Sequence, residues 1–147
     1  MQFDIANRLF FRLYQSSNLL HKNGTRQLGT FGATTQQWAV LGALARPAIR
    51  ARGMTVKDLV AYLMLSRQNL TAVLDRLESR GWVERVKDPD DGRNRLIRMT
   101  AAGDGVWVAM QAPIKDFYDR ALGALSPEES MQLLHLLDRL RTGLSEV

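Results

Sequence analysis

The sequence predicts a mainly α fold carrying one small antiparallel β-hairpin, with a helix-turn-helix directly before the hairpin and further helices at both ends. Three observations predict it. Leu70, Val73, Leu74 and Leu77 fall at i, i+3, i+4 and i+7, which draws one apolar stripe on a helix. The period then turns extended, in Trp82–Val86 and Arg95–Met99, around a segment dense in turn formers. Helix-starting residues (Thr34 or Thr35, Ser66 and Ser126) stand before separate apolar-periodic runs.

Taken in order, Phe3 to about Leu20 is the first helix. Ile5, Leu9, Leu13 and Leu20, with Phe10, Phe11 and Tyr14, make it apolar on more than one side, which calls for more than one packing partner. A second subunit is the economical source of that partner. Asn23-Gly24 through Gly32 has the composition of a helix end and a loop. Thr34 or Thr35 then caps a helix over Gln36–Ala45, with Trp38, Leu41, Leu44 and Ala45 on its inner face, and Pro47 ends it. Arg46–Gly53 is a basic loop, compatible with a solvated linker and with a phosphate contact.

Thr55 opens the next helix, whose inner side is Val56, Leu59, Val60 and Leu63. Met64-Leu65 forms the corner before Ser66, where glycine is common because a Cβ in a left-handed turn costs energy. Ser66 caps the next helix, and Gly81 stops it. Away from the stripe this helix carries Arg67, Gln68, Asn69, Thr71 and Arg76, residue types that reach base edges and phosphates. The hairpin follows as a wing, with Lys87, Arg93, Arg95 and Arg98 in or beside it. An exposed Arg93 at its tip suits a narrow minor groove. Asp88, Asp90 and Asp91 admit a divalent-cation site or turn-forming aspartates paired with neighbouring arginines. They lack the spacing and terminal glutamate of a calcium loop, which favours pairing.

Thr100 caps a long helix with Val106, Met110, Ile114, Phe117, Ala121 and Leu125 inside, and Pro113 predicts a kink or short interruption in it. Ser126-Pro127-Glu128-Glu129 is a strong helix start ahead of Leu133, Leu134, Leu137, Leu140 and Leu144.

The net charge of +5 is uneven. Residues 1–54 hold seven basic and one acidic side chain, residues 55–103 nine and seven, and residues 104–147 four and seven. A basic front and an acidic back suit a chain that turns one side to a polyanion. The absence of cysteine excludes disulfides and Cys-ligated zinc and fits a reducing cytoplasm. No secretory signal or apolar run of membrane-spanning length is present, so no membrane partner is expected. His21 and His135 stand far apart and no glycine-rich phosphate loop occurs, so neither an enzyme nor a metal or cofactor site is expected. A protein-binding module would replace the polar residues of the second helix with apolar anchors, and Arg67-Gln68-Asn69 shows none.

Ser66-Arg67-Gln68-Asn69-Leu70, Leu74-Asp75-Arg76-Leu77-Glu78, Gly81-Trp82-Val83-Glu84-Arg85, Asp91-Gly92-Arg93 and Met99-Thr100-Ala101-Ala102-Gly103, in this order and spacing, resemble the MarR family of bacterial winged helix-turn-helix regulators. The resemblance implies a roughly triangular homodimer. Residues 1–33 and 104–147 would supply its interlocked dimerisation helices, and residues 34–103 a winged DNA-binding region. It implies a repressor on a pseudo-palindromic site in double-stranded DNA, with Ser66, Arg67, Gln68, Asn69, Thr71, Arg76, Asp91, Arg93 and Arg95 at the interface. Arg93 would be the wing arginine and Asp91 the carboxylate that helps position it. Met64 and Met99 depart from the residues usual there. Family members respond to small anionic aromatics, which implies a phenolic or other aromatic acid, or its coenzyme A thioester, as effector. Arg8 and Arg12 are the candidates for its acidic group, and Tyr14 and Trp38 for aromatic walls.

Overall fold

The computed structural model describes residues 2–147. Helix α1 covers Gln2–Gln27 and a 3-10 turn covers Gly29–Phe31. Helices α2 (Thr35–Leu44), α3 (Pro47–Arg50), α4 (Val56–Leu63) and α5 (Arg67–Ser79) precede the antiparallel strands β1 (Val83–Lys87) and β2 (Arg95–Met99). Helices α6 (Ala101–Ala121) and α7 (Pro127–Ser145) complete the chain. Two compact units result, one running to Ala112 and the other Pro113–Val147.

The first unit holds the core. Val40, Leu41 and Leu44 of α2, Leu59 of α4, Leu70, Leu74 and Leu77 of α5, Ile97 of β2 and Met110 of α6 are all fully buried. Each such side chain contributes about 1.5–3 kcal/mol on leaving water. The stripe of α5 is therefore what fixes the helix in place, and its other face stays in solvent.

Helix α1 runs past Asn23-Gly24, where the composition predicts a helix end. Gly24 is buried, and a Cβ on it would lie 2.8 Å from Thr35 Cγ2. The glycine lets the start of α2 approach α1; it does not stop the helix. His21 Nδ1 lies 2.6 Å from Thr35 Oγ1 at the same junction, so His21 ties the two helices together while remaining exposed. The residue that caps α2 is Thr34, in a full capping box with Gln37. Trp38 and Ala45, expected inside, are only half-buried.

The segment expected to be a basic loop contains the single turn α3, and all three of its arginines have partners inside the protein. Arg46 donates from Nε to the Ala43 carbonyl at 3.0 Å and stacks on Tyr62 at 3.8 Å. Arg50 pairs with Asp104. Arg52 reaches Asp90 at 2.8 Å and Asp88 at 3.5 Å. Gly53 takes φ of 89°, and Met54 then exchanges two backbone hydrogen bonds with Ile97, an added bridge beside β2.

Met64 occupies the left-handed corner between α4 and α5 at φ 57°. It is the only non-glycine residue with positive φ among the described residues. After α5, Gly81 at φ 74° donates to Glu78 O and Trp82 donates to Leu77 O, the two bonds of a Schellman motif.

Helix α6 continues through Pro113 without interruption, although the boundary between the units falls there. Met110 and Ile114 are buried; Ala121 and Leu125, expected inside, are exposed. In the second unit α7 starts with a Ser126–Glu129 capping box and Pro127 in its first turn, yet none of its residues is buried. Met131, Leu133, Leu134, Leu136, Leu137 and Leu144 all face solvent in the single chain. Among the described residues no helix is long and apolar enough to cross a membrane.

Candidate nucleic-acid interface

The exposed side of α5 begins at Ser66, whose hydroxyl accepts from Asn69 N–H at 3.1 Å. That cap fixes the first turn and leaves the side chains of Arg67, Gln68 and Asn69 exposed, with no partner among the described residues. Gln and Asn amides can serve adenine N6 and N7 together, and a guanidinium can serve guanine O6 and N7. Thr71 is more restricted. Its hydroxyl proton already goes to Arg67 O at 2.9 Å, which leaves an acceptor lone pair and a methyl group for a base. Arg76, nearer the C-terminal end, is exposed and its guanidinium is unpaired among the described residues.

Two carboxylates on the same helix, Asp75 and Glu78, would repel phosphates. Arg85 of β1 offsets both, at 2.9 Å from Asp75 and 3.4 Å from Glu78. Residue type alone does not single out this role of Arg85 as a counter-charge. The sequence signal is the pair Asp75 and Glu78, two acids three apart on an otherwise basic helix face, which favours a nearby counter-charge.

The wing is held by aspartates. Asp91 Oδ1 accepts from Arg93 N–H at 3.0 Å and Oδ2 from Asn94 Nδ2 at 3.1 Å. Asp91 thus shapes the tip through the backbone of Arg93 and leaves its guanidinium in solvent. Asp88, buried at 6 % exposure, accepts from Asp90 N–H at 2.9 Å. The hydrogen bond that Arg52 donates to the Asp90 carboxylate, and then the charges of Asp88 and Asp90, hold the Arg52 guanidinium above its ordinary pKa. The aspartates do pair with an arginine, but it comes from the segment before α4 and not from the wing itself.

Cross-strand register separates two kinds of basic residue. Arg98 opposite Glu84 forms a bridge of 2.7 Å. Arg95 lies opposite Lys87, a like-charged pair that costs stability in the free protein. Across residues 46–98, arginines 46, 50, 52, 80, 85 and 98 are bound to groups of the protein. The other arginines of that stretch, Arg67, Arg76, Arg93 and Arg95, have no ion pair among the described residues, and neither have Lys57 and Lys87; all of these except Lys57 of α4 lie on α5 or the wing. Uncompensated positive charge gathered along one helix and the adjoining wing suits a polyanion.

A model described as MarR family matches residues 31–94, from the end of the 3-10 turn to the wing tip. Over 135 residues the chain is 52 % identical to the transcriptional activatory protein BadR of Rhodopseudomonas palustris, a match spanning 91 % of this chain and 77 % of BadR. The chain belongs to the MarR family. It is also 31 % identical over 105 residues to the homoprotocatechuate degradative operon repressor of Escherichia coli, covering 71 % of this chain and 68 % of that protein. Among solved structures, a mutant of E. coli MarR complexed with operator DNA superposes with a TM-score of 0.77 at 26 % identity, over 95 % of each chain. The winged helix-turn-helix architecture is thus a MarR-family fold, and the chain is a transcriptional regulator of that family, not an enzyme.

The residues expected around an effector are only partly brought together in this MarR-family chain. Arg8 and Arg12 line one groove of about 320 Å3 with Ile5 and Leu9. Tyr14 comes two residues after Arg12, roughly half a turn around α1, and points away from that groove. Trp38 belongs to α2 and is not part of the lining.

Proposed function

We propose that this chain acts in the cytoplasm as a sequence-specific, ligand-responsive DNA-binding regulator. It works as a homodimer on a pseudo-palindromic operator, with α5 in the major groove and the wing in the minor groove. The observation that carries this reading is the sorting of arginines between residues 46 and 98. Six of them are held by the protein's own acceptors, while Arg67, Arg76, Arg93 and Arg95, joined by Lys87, are left for phosphates and base edges. A relative complexed with operator DNA supports this reading of the fold.

The apolar surfaces of α1 and α7 support the dimer. Exposed Phe3, Phe10, Phe11 and Leu20 on one helix, and exposed leucines on the other, exceed what a monomer leaves to water. A small aromatic or phenolic acid, or the acyl end alone of its coenzyme A thioester, suits the Arg8–Arg12 groove, which is near the lower end of the volumes of ligand sites. The relative named for a homoprotocatechuate operon supports an aromatic effector. Its relatives include an activatory protein and a repressor, so repression is proposed for an operator that overlaps its promoter and activation for one placed upstream.

Arg93→Ala is expected to weaken operator binding roughly tenfold, about 1.4 kcal/mol, and to lower the salt slope by about one counterion. The dimer should stay intact. A fluorescence titration across salt concentrations checks it, and an unchanged affinity and slope would remove the wing from the interface.

A further inference from the structure

Arg80 stands one residue beyond α5, and its side chain does something no other side chain of that helix does. Its Nη1 donates to Gly32 O at 2.7 Å and its Nη2 to Phe31 O at 2.8 Å. The guanidinium also stacks over the Trp82 ring at 3.7 Å. Trp82 is itself buried and is anchored by its backbone N–H to Leu77 O at 3.0 Å. The far side of the clamp is equally defined. Leu28 and Ala33 are buried, and the Leu28 carbonyl accepts from both Phe31 N–H and Ala33 N–H, closing the junction between α1 and α2 on itself. Gly32 sits at φ 65°, and a Cβ there would come within 3.1 Å of Arg80 Nη2, so the junction has room for the guanidinium and for little more. Among the described residues this is the only side-chain hydrogen bonding that joins α5 or its caps to the α1–α2 junction.

We propose that Arg80 is a positioning residue for DNA recognition: it fastens the C-terminal end of α5 to the α1–α2 junction, so that the tilt of α5 follows α1. Two carbonyls and one ring face fix a planar guanidinium in a single orientation. A lysine carries the same charge but cannot bridge two acceptors in that fork geometry. Because the guanidinium is turned onto carbonyls of the protein, it contributes no phosphate contact of its own.

The proposal rests on the operator-binding reading, so its test has one arm with DNA and one without. A duplex selected from a random pool by the wild-type protein serves as probe. If the wild type selects no sequence, the operator reading fails on its own, and the DNA-free arm still decides about Arg80. Arg80→Ala and Arg80→Lys are each expected to bind the selected duplex at least about tenfold more weakly with the salt slope unchanged. In the free protein, amide hydrogen exchange of both variants should quicken at residues 28–33 and 79–82 together, with α7 unaffected. Wild-type affinity in Arg80→Lys, or a slope lowered by about one in Arg80→Ala, would overturn the proposal by making Arg80 a charge contact. Unchanged exchange at residues 28–33 would overturn it by showing that no clamp exists.

Discussion

Replacing Leu134 and Leu137 together by glutamate is expected to turn a dimer into a monomer. Both side chains lie on α7, 56 % and 42 % exposed in the single chain, and no residue of that helix is buried. The double substitution therefore disturbs no buried contact within the chain, and the Ser126 capping box that starts the helix is untouched. At a subunit interface each leucine would contribute about 1.5–3 kcal/mol. Losing two corresponds to a rise in the dimer dissociation constant of roughly 10²–10⁴-fold, before counting the cost of burying carboxylates. Sedimentation velocity reads the change directly, and circular dichroism should show the helical content kept. A dimer of wild-type strength would mean that α7 lies outside the interface.

The second large effect concerns the Thr100-Ala101-Ala102-Gly103 turn, where Gly103→Ala is expected to destabilise the chain severely. Thr100 Oγ1 donates to Gly81 O at 2.6 Å and accepts from Gly103 N–H at 3.0 Å, while Thr100 N–H donates to Trp82 O at 3.1 Å. One residue thereby closes the end of α5, the start of β1 and the start of α6 onto each other. A Cβ on Gly103 would lie 2.0 Å from the Trp82 carbonyl oxygen, a backbone atom that cannot swing aside. Overpacking of this kind costs about 3 kcal/mol or more, which lowers the melting temperature by roughly 6–12 °C. Gly105 is the internal control. It lies in the same helix with nothing within 4 Å of the added carbon, and Gly105→Ala should stabilise by about 0.5–1 kcal/mol. Equal melting temperatures for the two variants would show that the close approach at Gly103 has been misjudged.

Local signals in the sequence carried most of the fold. The α5 stripe, the Ser66 and Ser126 caps, the Gly81 stop, the left-handed Met64 corner and the hairpin each depend on residues close to one another along the chain. The structure has all of them. What the sequence concealed lies in contacts between distant segments. Asn23-Gly24 has the composition of a helix end, and only the nearness of Thr35 shows why the helix needs a glycine there. The arginines of Arg46–Gly53 look available for phosphates until Asp88, Asp90 and Asp104 are seen beside them. The same holds for the site. The exposed residues of α5 follow from periodicity, whereas Arg85 and Arg80 acquire roles only through partners on other elements. Residue type groups Tyr14 with Arg8 and Arg12, and helical geometry separates them.

In the proposed function, the N-terminal turn of α5 reads bases. The most direct measurement is a titration of the wild-type protein and of an Arg67→Ala, Gln68→Ala, Asn69→Ala variant. Each is titrated against the duplex the wild type selects from a random pool and against a shuffled duplex of equal composition, at one salt concentration. The wild type is expected to prefer the selected duplex by about 10³-fold or more. The variant should narrow that preference to within roughly tenfold while its affinity for the shuffled duplex, set by phosphate contacts, changes little. A variant that keeps the full preference would show that bases are read by something other than the exposed turn at Ser66–Asn69.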